Sequence, residues 1–139
     1  MSDAPESDRA TVVRRLFEAR GAGDVEAALE CVTQDVLIDC SRRMLDPGIF
    51  RGHEGLRQLV SGLGSAWARQ ELEPLELIES GECIVAPVRI TSTGRSSGIT
   101  RSAQAAWAFH FAEGRIDRCA VFQTKDDALA EAASEAARG

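Results

Sequence analysis

Residues 103–123, AQAAWAFHFAEGRIDRCAVFQ, constrain the fold more than any other stretch of the chain. Two apolar runs, Ala105–Phe111 and Arg118–Gln123, flank the short glycine-containing turn Glu113-Gly114-Arg115, the pattern of an antiparallel hairpin. Strand side chains alternate between faces. Trp107, Phe109 and Phe111 therefore share one face, and Ala106, Ala108 and His110 the other. In the second arm Cys119, Val121 and Gln123 alternate with Ala120 and Phe122. Three of the chain's seven Phe and Trp residues thus fall on one face of one strand. Such a hairpin belongs at the centre of a sheet, with helices packed on its aromatic side.

The rest of the chain reads around it. Residues 1–8 are polar and form an N-terminal tail, disordered by composition. Ser7 or Asp8 caps a helix to about Arg20, with Val12, Val13, Leu16 and Phe17 as its apolar stripe. Gly21-Ala22-Gly23 stops it, and Asp24 caps a second helix over Val25–Val32. Val36–Cys40 reads as a strand, 41–52 as a loop, and 53–67 as a third helix with Leu56, Leu59, Val60 and Leu63 on one side. Strands follow at Leu72–Glu79 and Cys83–Thr93. Pro87 inside the latter requires a bulge or an edge position, because proline donates no ladder hydrogen bond. Asp126–Ala137 closes the chain as a short helix. Three helices before a mostly antiparallel sheet is an α+β order. A bent sheet wrapped on the first helix leaves a conical space between the layers, a natural ligand site.

Charge narrows the partners. With 16 basic and 22 acidic residues the net charge is −6, which argues against nucleic acid and anionic membrane, since both need a basic patch. No stretch is long and apolar enough to span a bilayer, and the first residues lack the features of a secretion signal. The expected compartment is the cytoplasm. Cysteines at 31, 40, 83 and 119 lack the close spacing of a metal site. The expectation is buried thiols acting as small hydrophobes, with neither metal nor disulfide.

Several short motifs, in order, carry a resemblance. Ala22-Gly23-Asp24 follows an amphipathic helix, and Phe50-Arg51-Gly52-His53-Glu54-Gly55 follows the first strand. Then come Glu73-Pro74, Ile78-Glu79-Ser80-Gly81-Glu82 and Glu113-Gly114-Arg115-Ile116. Together they resemble the SnoaL-like polyketide-cyclase and ketosteroid-isomerase branch of the nuclear transport factor 2-like superfamily. The resemblance covers residues 9–133 as one domain, leaving 134–139 as a C-terminal tail. It implies a cone-shaped α+β barrel, a cystatin-like roll, with three N-terminal helices packed on a strongly bent, mostly antiparallel mixed sheet. It also implies a deep apolar pocket and a homodimer through the outer sheet face. It does not imply a reaction, since one fold hosts many chemistries.

Residue by residue, the resemblance is informative by what it lacks. The isomerase tyrosine falls at Leu16, its general-base aspartate at Cys40, its oxyanion-hole acid at Trp107, and the late-strand cyclase aspartate near Gln123. The carboxylates of the related epoxide hydrolases fall at Ala86 and Val121. Proton transfer needs a carboxylate or imidazole within reach of the substrate, so steroid-isomerase chemistry is disfavoured.

Three groups remain as candidate acids or bases. Asp46 lies in the loop 41–52, His53 opens the third helix, and Asp39 sits beside Cys40. Strand alternation points Asp39 away from the pocket, which gives it a structural role, whereas a bulge after Asp39 would turn it inward. Each has an ordinary alternative: Asp46 as a turn residue, His53 as a helix-start residue. Arg89, in an apolar run, is expected to pair with Asp39 or Glu76. The expected pocket wall is Leu16, Cys40, Leu59, Leu63, Trp107, Cys119 and Val121, with Gln123 as a donor to a ligand carbonyl. Two functions compete. One is a small-molecule pocket protein working on an apolar or polycyclic metabolite without a cofactor. The other is a non-catalytic ligand-binding or dimerisation domain that lacks the acid–base set.

Overall fold

The computed structural model describes residues 8–40, 48–61, 67–94 and 96–138. Its elements are α1 (Asp8–Ala22), α2 (Val25–Glu30), β1 (Val32–Asp39), β2 (Ile49–Arg51), α3 (Gly52–Ser61), β3 (Trp67–Pro74), β4 (Ile78–Ser80), β5 (Cys83–Gly94), β6 (Thr100–Ala112), β7 (Arg115–Phe122) and α4 (Lys125–Arg138). The expected α+β architecture is present as a curled, unclosed sheet of seven strands in the order β2-β1-β7-β6-β5-β3, with β4 also on β5. Among the described strands only β1 with β7 is parallel.

The β6–β7 hairpin stands mid-sheet, as its sequence requires. Its turn is tighter than the three residues expected: Ala112 pairs with Arg115, leaving Glu113 and Gly114 as a two-residue loop. Both have positive φ, 54° and 82°, the type I′ geometry whose twist matches the flanking strands. A register shift between His110 and Phe111 then puts Asp117 in excess on β7, a bulge that increases local twist.

Alternation along these strands creates two cores. The inner one joins Val36 and Ile38 of β1, Ile84, Ala86 and Val88 of β5, Trp107 and Phe109 of β6, and Cys119 and Val121 of β7 to α1, α2 and Leu56 of α3. Helix α1 contributes Ala10, Val13, Leu16, Phe17 and Ala19, a stripe at helical spacing. It ends in a Schellman motif: Gly23 (φ 69°) and Asp24 donate back to Arg20 and Ala19 at 3.2 and 2.9 Å. Asp24 then caps α2, its Oδ1 accepting from Ala27 N at 3.1 Å.

The outer core is smaller. Cys83, Val85, Ala106, Ala108, Ala120 and Phe122 pack under Ala128 and Ala132 of α4. Thr124 caps this helix, accepting from Asp127 N at 3.1 Å.

Several expectations need correction. Helix α2 stops at Glu30, because Val32 already pairs with Ile116 at the start of β1. The single strand expected over Leu72–Glu79 is two, β3 and β4, interrupted at 75–77. Pro87 meets the expected condition in a particular form: it stands inside the sheet at an irregularity, where three residues, 75–77, face two, 86 and 87. Leu75 N donates to Pro87 O at 2.8 Å, and Val88 and Val85 on either side pair with Pro74 and Ile78. The proline nitrogen, on the same side as its carbonyl, faces the gap between β3 and β4 where no donor is needed. Helix α4 spans Lys125–Arg138, within a residue of the expected Asp126–Ala137 at each end, and lies on the outer face. Its Ala128 and Ala132 cover part of the outer face, the face on which the resemblance implies a homodimer contact.

Candidate functional site

The inner face of the hairpin presents an aromatic corner. Registers Ala86↔Trp107↔Val121 and Ile84↔Phe109↔Cys119 run across three strands. Phe17 of α1 closes on both aromatic residues, 5.1 Å from Trp107 with planes at 40° and 6.0 Å from Phe109 edge-on at 82°. Trp107 and Phe109 are 6.0 Å apart. Contacts of this geometry add roughly 0.5–1.5 kcal/mol each beyond burial. One helical turn beyond Phe17, in the last turn of α1, Arg20 holds its guanidinium carbon 5.3 Å from the Trp107 ring centroid.

Two thiols border this corner. Cys119 and Cys40 are both buried in the inner core, and Ile38, two residues before Cys40, pairs with Cys119. Burial pushes the Cys119 thiol far above its ordinary range, and the neighbouring Cys40 adds to the effect. Arg20 pulls it back and Asp39 pushes it up. Cys119 is therefore held as a neutral thiol, a wall rather than a nucleophile.

Among the buried side-chain atoms that lack a hydrogen bond, two belong to expected site residues. Trp107 Nε1 and His53 Nε2 are buried without a hydrogen bond, a costly state that native interiors mostly avoid. Trp107 as a residue is only 4% exposed.

The expected site residues divide clearly. Leu16, Cys40, Trp107, Cys119 and Val121 come together in one inner core. His53 is half-buried at the start of α3. Gln123 is exposed just beyond β7. Asp39 pairs with Ala120, an outer-core residue, and so stands on the outer face. Leu59 lies on α3, but its side chain, with Asp46 and Leu63, is outside the described residues. Arg89 forms an ion pair, with Glu73 rather than Asp39 or Glu76: Nη1 lies 3.3 Å from Oε1 of its directly cross-strand partner. Glu76 instead approaches Lys125 at 3.8 Å.

Arg20 is the site residue that sequence reading missed. The signal was available, because positions 16, 17 and 20 share one helix face.

A separate cleft of about 410 Å³ lies between α1 and α2, bordered by Val12, Arg15, Glu18, Ala27, Glu30 and Cys31. Burial raises the Cys31 thiol, Arg15 lowers it and Glu30 raises it. Among the described residues no three His, Cys, Asp or Glu side chains converge as metal ligands, and no helix is long and apolar enough to cross a membrane. All four cysteines are buried thiols outside any disulfide.

Comparison with known proteins places this geometry. The model of the SnoaL-like domain matches residues 13–119. No curated protein matches the sequence. Among solved structures, an NTF2-like protein of unknown function from Burkholderia pseudomallei K96243 is 23% identical with a TM-score of 0.74, covering 90% of this chain and 97% of that one. TerC, co-crystallised with polyporic acid, is 19% identical with a TM-score of 0.76 over 92% and 99%. RV0760c from Mycobacterium tuberculosis, in complex with estradiol-17β-hemisuccinate, is 17% identical with a TM-score of 0.71 over 87% and 97%. At these identities the likeness is one of fold.

Proposed function

We propose, from the premise that the chain belongs to the SnoaL-like domain family, that it binds a small, flat, largely apolar molecule on the inner face, against the corner of Phe17, Trp107 and Phe109. The observation that carries this reading is the chemistry of the wall. The buried inner-face side chains are aliphatic, aromatic or thiol, and Ser92 is the one buried polar residue among those described. Such a surface supplies contact area and shape to an apolar ligand. It supplies no buried carboxylate for proton transfer, which favours binding over isomerase chemistry. The estradiol-17β-hemisuccinate of the RV0760c complex and the polyporic acid co-crystallised with TerC, on proteins of the same fold, support the choice of ligand class.

A second reading, a cofactor-independent isomerase-, cyclase- or hydrolase-like enzyme, rests on His53, whose Nε2 is buried without a partner. In that reading His53 is the acid or base, with Asp46 as its alternative. The rest of the proposal concerns setting. The uncovered end of the outer face, with Thr91, Thr93, Thr100 and Ser102, is the surface on which two copies would pair. The buried thiols suit a reducing cytoplasm.

Titration with flat polycyclic compounds, followed by thermal shift, tests the binding reading. Binding that weakens at least tenfold in Phe17→Ala, with the fold retained, supports it. Binding untouched by Phe17→Ala defeats it. Turnover that His53→Gln abolishes while binding persists selects the second reading.

A further inference from the structure

We infer that the cleft between α1 and α2 is a second binding site, built for an α-amino acid with an apolar side chain. It is independent of the inner-face site. Positions 12, 15, 19 and 22 of α1 border the cleft, and at helical spacing they form the face opposite Phe17. The cleft encloses about 410 Å³, within the roughly 300–1,000 Å³ of small-molecule sites. Its floor is apolar. Val12 and Ala19 of α1, Ala27 of α2 and Cys31 line it, each buried or half-buried. The Cys31 thiol donates to Ala27 O at 3.5 Å, so it is a satisfied part of that floor.

The rim carries opposite charges on the two walls. Arg15 and Glu18 stand on α1 and Glu30 on α2, all exposed. After burial, the largest influence on the Cys31 thiol, Arg15 lowers its pKa and Glu30 raises it. Cation and anion thus act on the same stretch of floor. Yet among the described residues none of Arg15, Glu18 and Glu30 is held in an ion pair. Asp24 also borders the cleft, but its carboxylate is taken by the cap of α2. Unpaired charges of both signs over an apolar floor favour a ligand that carries both charges itself. Its carboxylate pairs with the guanidinium of Arg15, which can offer two parallel N–H donors. Its ammonium pairs with Glu30 or Glu18. Its side chain covers the floor between them. A plain anion would meet the two glutamates, and a plain amine would meet Arg15, so both are disfavoured.

The test titrates the full chain with three probes of one shape. They are L-phenylalanine, 2-phenylethylamine, which lacks the carboxylate, and 3-phenylpropanoate, which lacks the ammonium. Calorimetry gives the affinities, and ¹H–¹⁵N spectra locate the site through the amides of Ala19, Ala22, Ala27 and Cys31. The inference expects L-phenylalanine to bind about fivefold or more tighter than either analogue, the upper range for an exposed ion pair. The shifts should centre on those four amides. Arg15→Gln should weaken L-phenylalanine by a similar factor while 2-phenylethylamine binds no worse. Glu18→Gln with Glu30→Gln should do the same while 3-phenylpropanoate binds no worse. All three side chains are exposed, so these variants keep the fold. Equal affinities for the three probes would reduce the cleft to an apolar groove and overturn the inference. So would a preference that survives both charge variants, shifts centred on Trp107 and Phe109 instead, or no binding of any probe.

Discussion

Cys83 and His110 face each other across β5 and β6, sharing a hydrogen bond of 3.2 Å between Sγ and Nδ1. The row continues, since His110 pairs with Arg118 on β7, and Arg118 meets Glu131 of α4 at 3.5 Å. A polar line thus crosses three strands beneath the helix that covers the outer core. It fixes where α4 sits along the sheet, a task that the small contacts of Ala128 and Ala132 leave loosely specified.

The line predicts a measurable coupling. In a cycle of Cys83→Ala and His110→Ala, the coupling energy from urea unfolding should be about 0.5–1.5 kcal/mol. Glu131→Gln should cost under about 1 kcal/mol, because its pair with Arg118 is partly solvated, yet it should raise amide exchange in α4 specifically. Strictly additive single variants would show that the thiol–imidazole contact contributes nothing.

Glycine 55 gives a steric prediction. A Cβ added there would lie 2.9 Å from the Phe50 carbonyl carbon and 3.0 Å from its Cβ. The first is backbone and cannot swing aside, so α3 must move away from β2. Gly55→Ala should destabilise by roughly 1–3 kcal/mol, although alanine is the better helix former by about 1 kcal/mol. A neutral or stabilising effect in a denaturant melt would refute this packing of α3 on β2.

The β6–β7 turn supplies a pair of opposite signs. Glu113 holds φ 54° without being glycine, and Gly114 holds φ 82°. Glu113→Asn should stabilise by a few tenths of a kcal/mol to about 1, because Asn tolerates this region and favours the type I′ turn. Gly114→Ala should cost about 1–2 kcal/mol through backbone strain alone, since nothing lies within 4 Å of its added Cβ. Melting temperatures of the two variants moving in the same direction would contradict the turn geometry.

The hairpin was legible because its alternation is strict. From it follow the shared inner core of Trp107, Cys119 and Val121 and the opposite placement of His110. Asp39 was legible for the same reason, since a residue beside Cys40 must face the other way. The start of β1 was hidden, because Val32 also continues the helical spacing of Ala28 and Leu29. The place of α4 was hidden more deeply. An Ala- and Glu-rich segment reads as a helix, but which sheet face it covers depends on where Ala106, Ala108 and Ala120 leave room for it. The partner of Arg89 was set by cross-strand register with Glu73, which a single sequence does not display.

Cys119 gives the last prediction, a dependence on pH. Burial, then the nearby Cys40, raise its pKa above the unfolded value, which for a thiol is about 8.5. The folded state therefore keeps a proton that the unfolded chain releases. Below the unfolded value both states are protonated and the full stability is present. Above it the unfolded chain binds fewer protons, so stability falls by up to about 1.4 kcal/mol per pH unit until the folded thiol itself titrates. Cys31, raised by burial as well, contributes in the same direction, so the wild-type slope alone does not isolate Cys119. The comparison that does is Cys119→Ala in urea at pH 8, 9, 10 and 11. The variant should be less stable at pH 8 by about 1–3 kcal/mol for the space it leaves, and should lose stability less steeply above pH 9. The two curves should then converge with rising pH. Parallel curves across that range would mean that Cys119 is accessible to water in the folded protein, and the inner wall would have to be redrawn around a hydrated thiol.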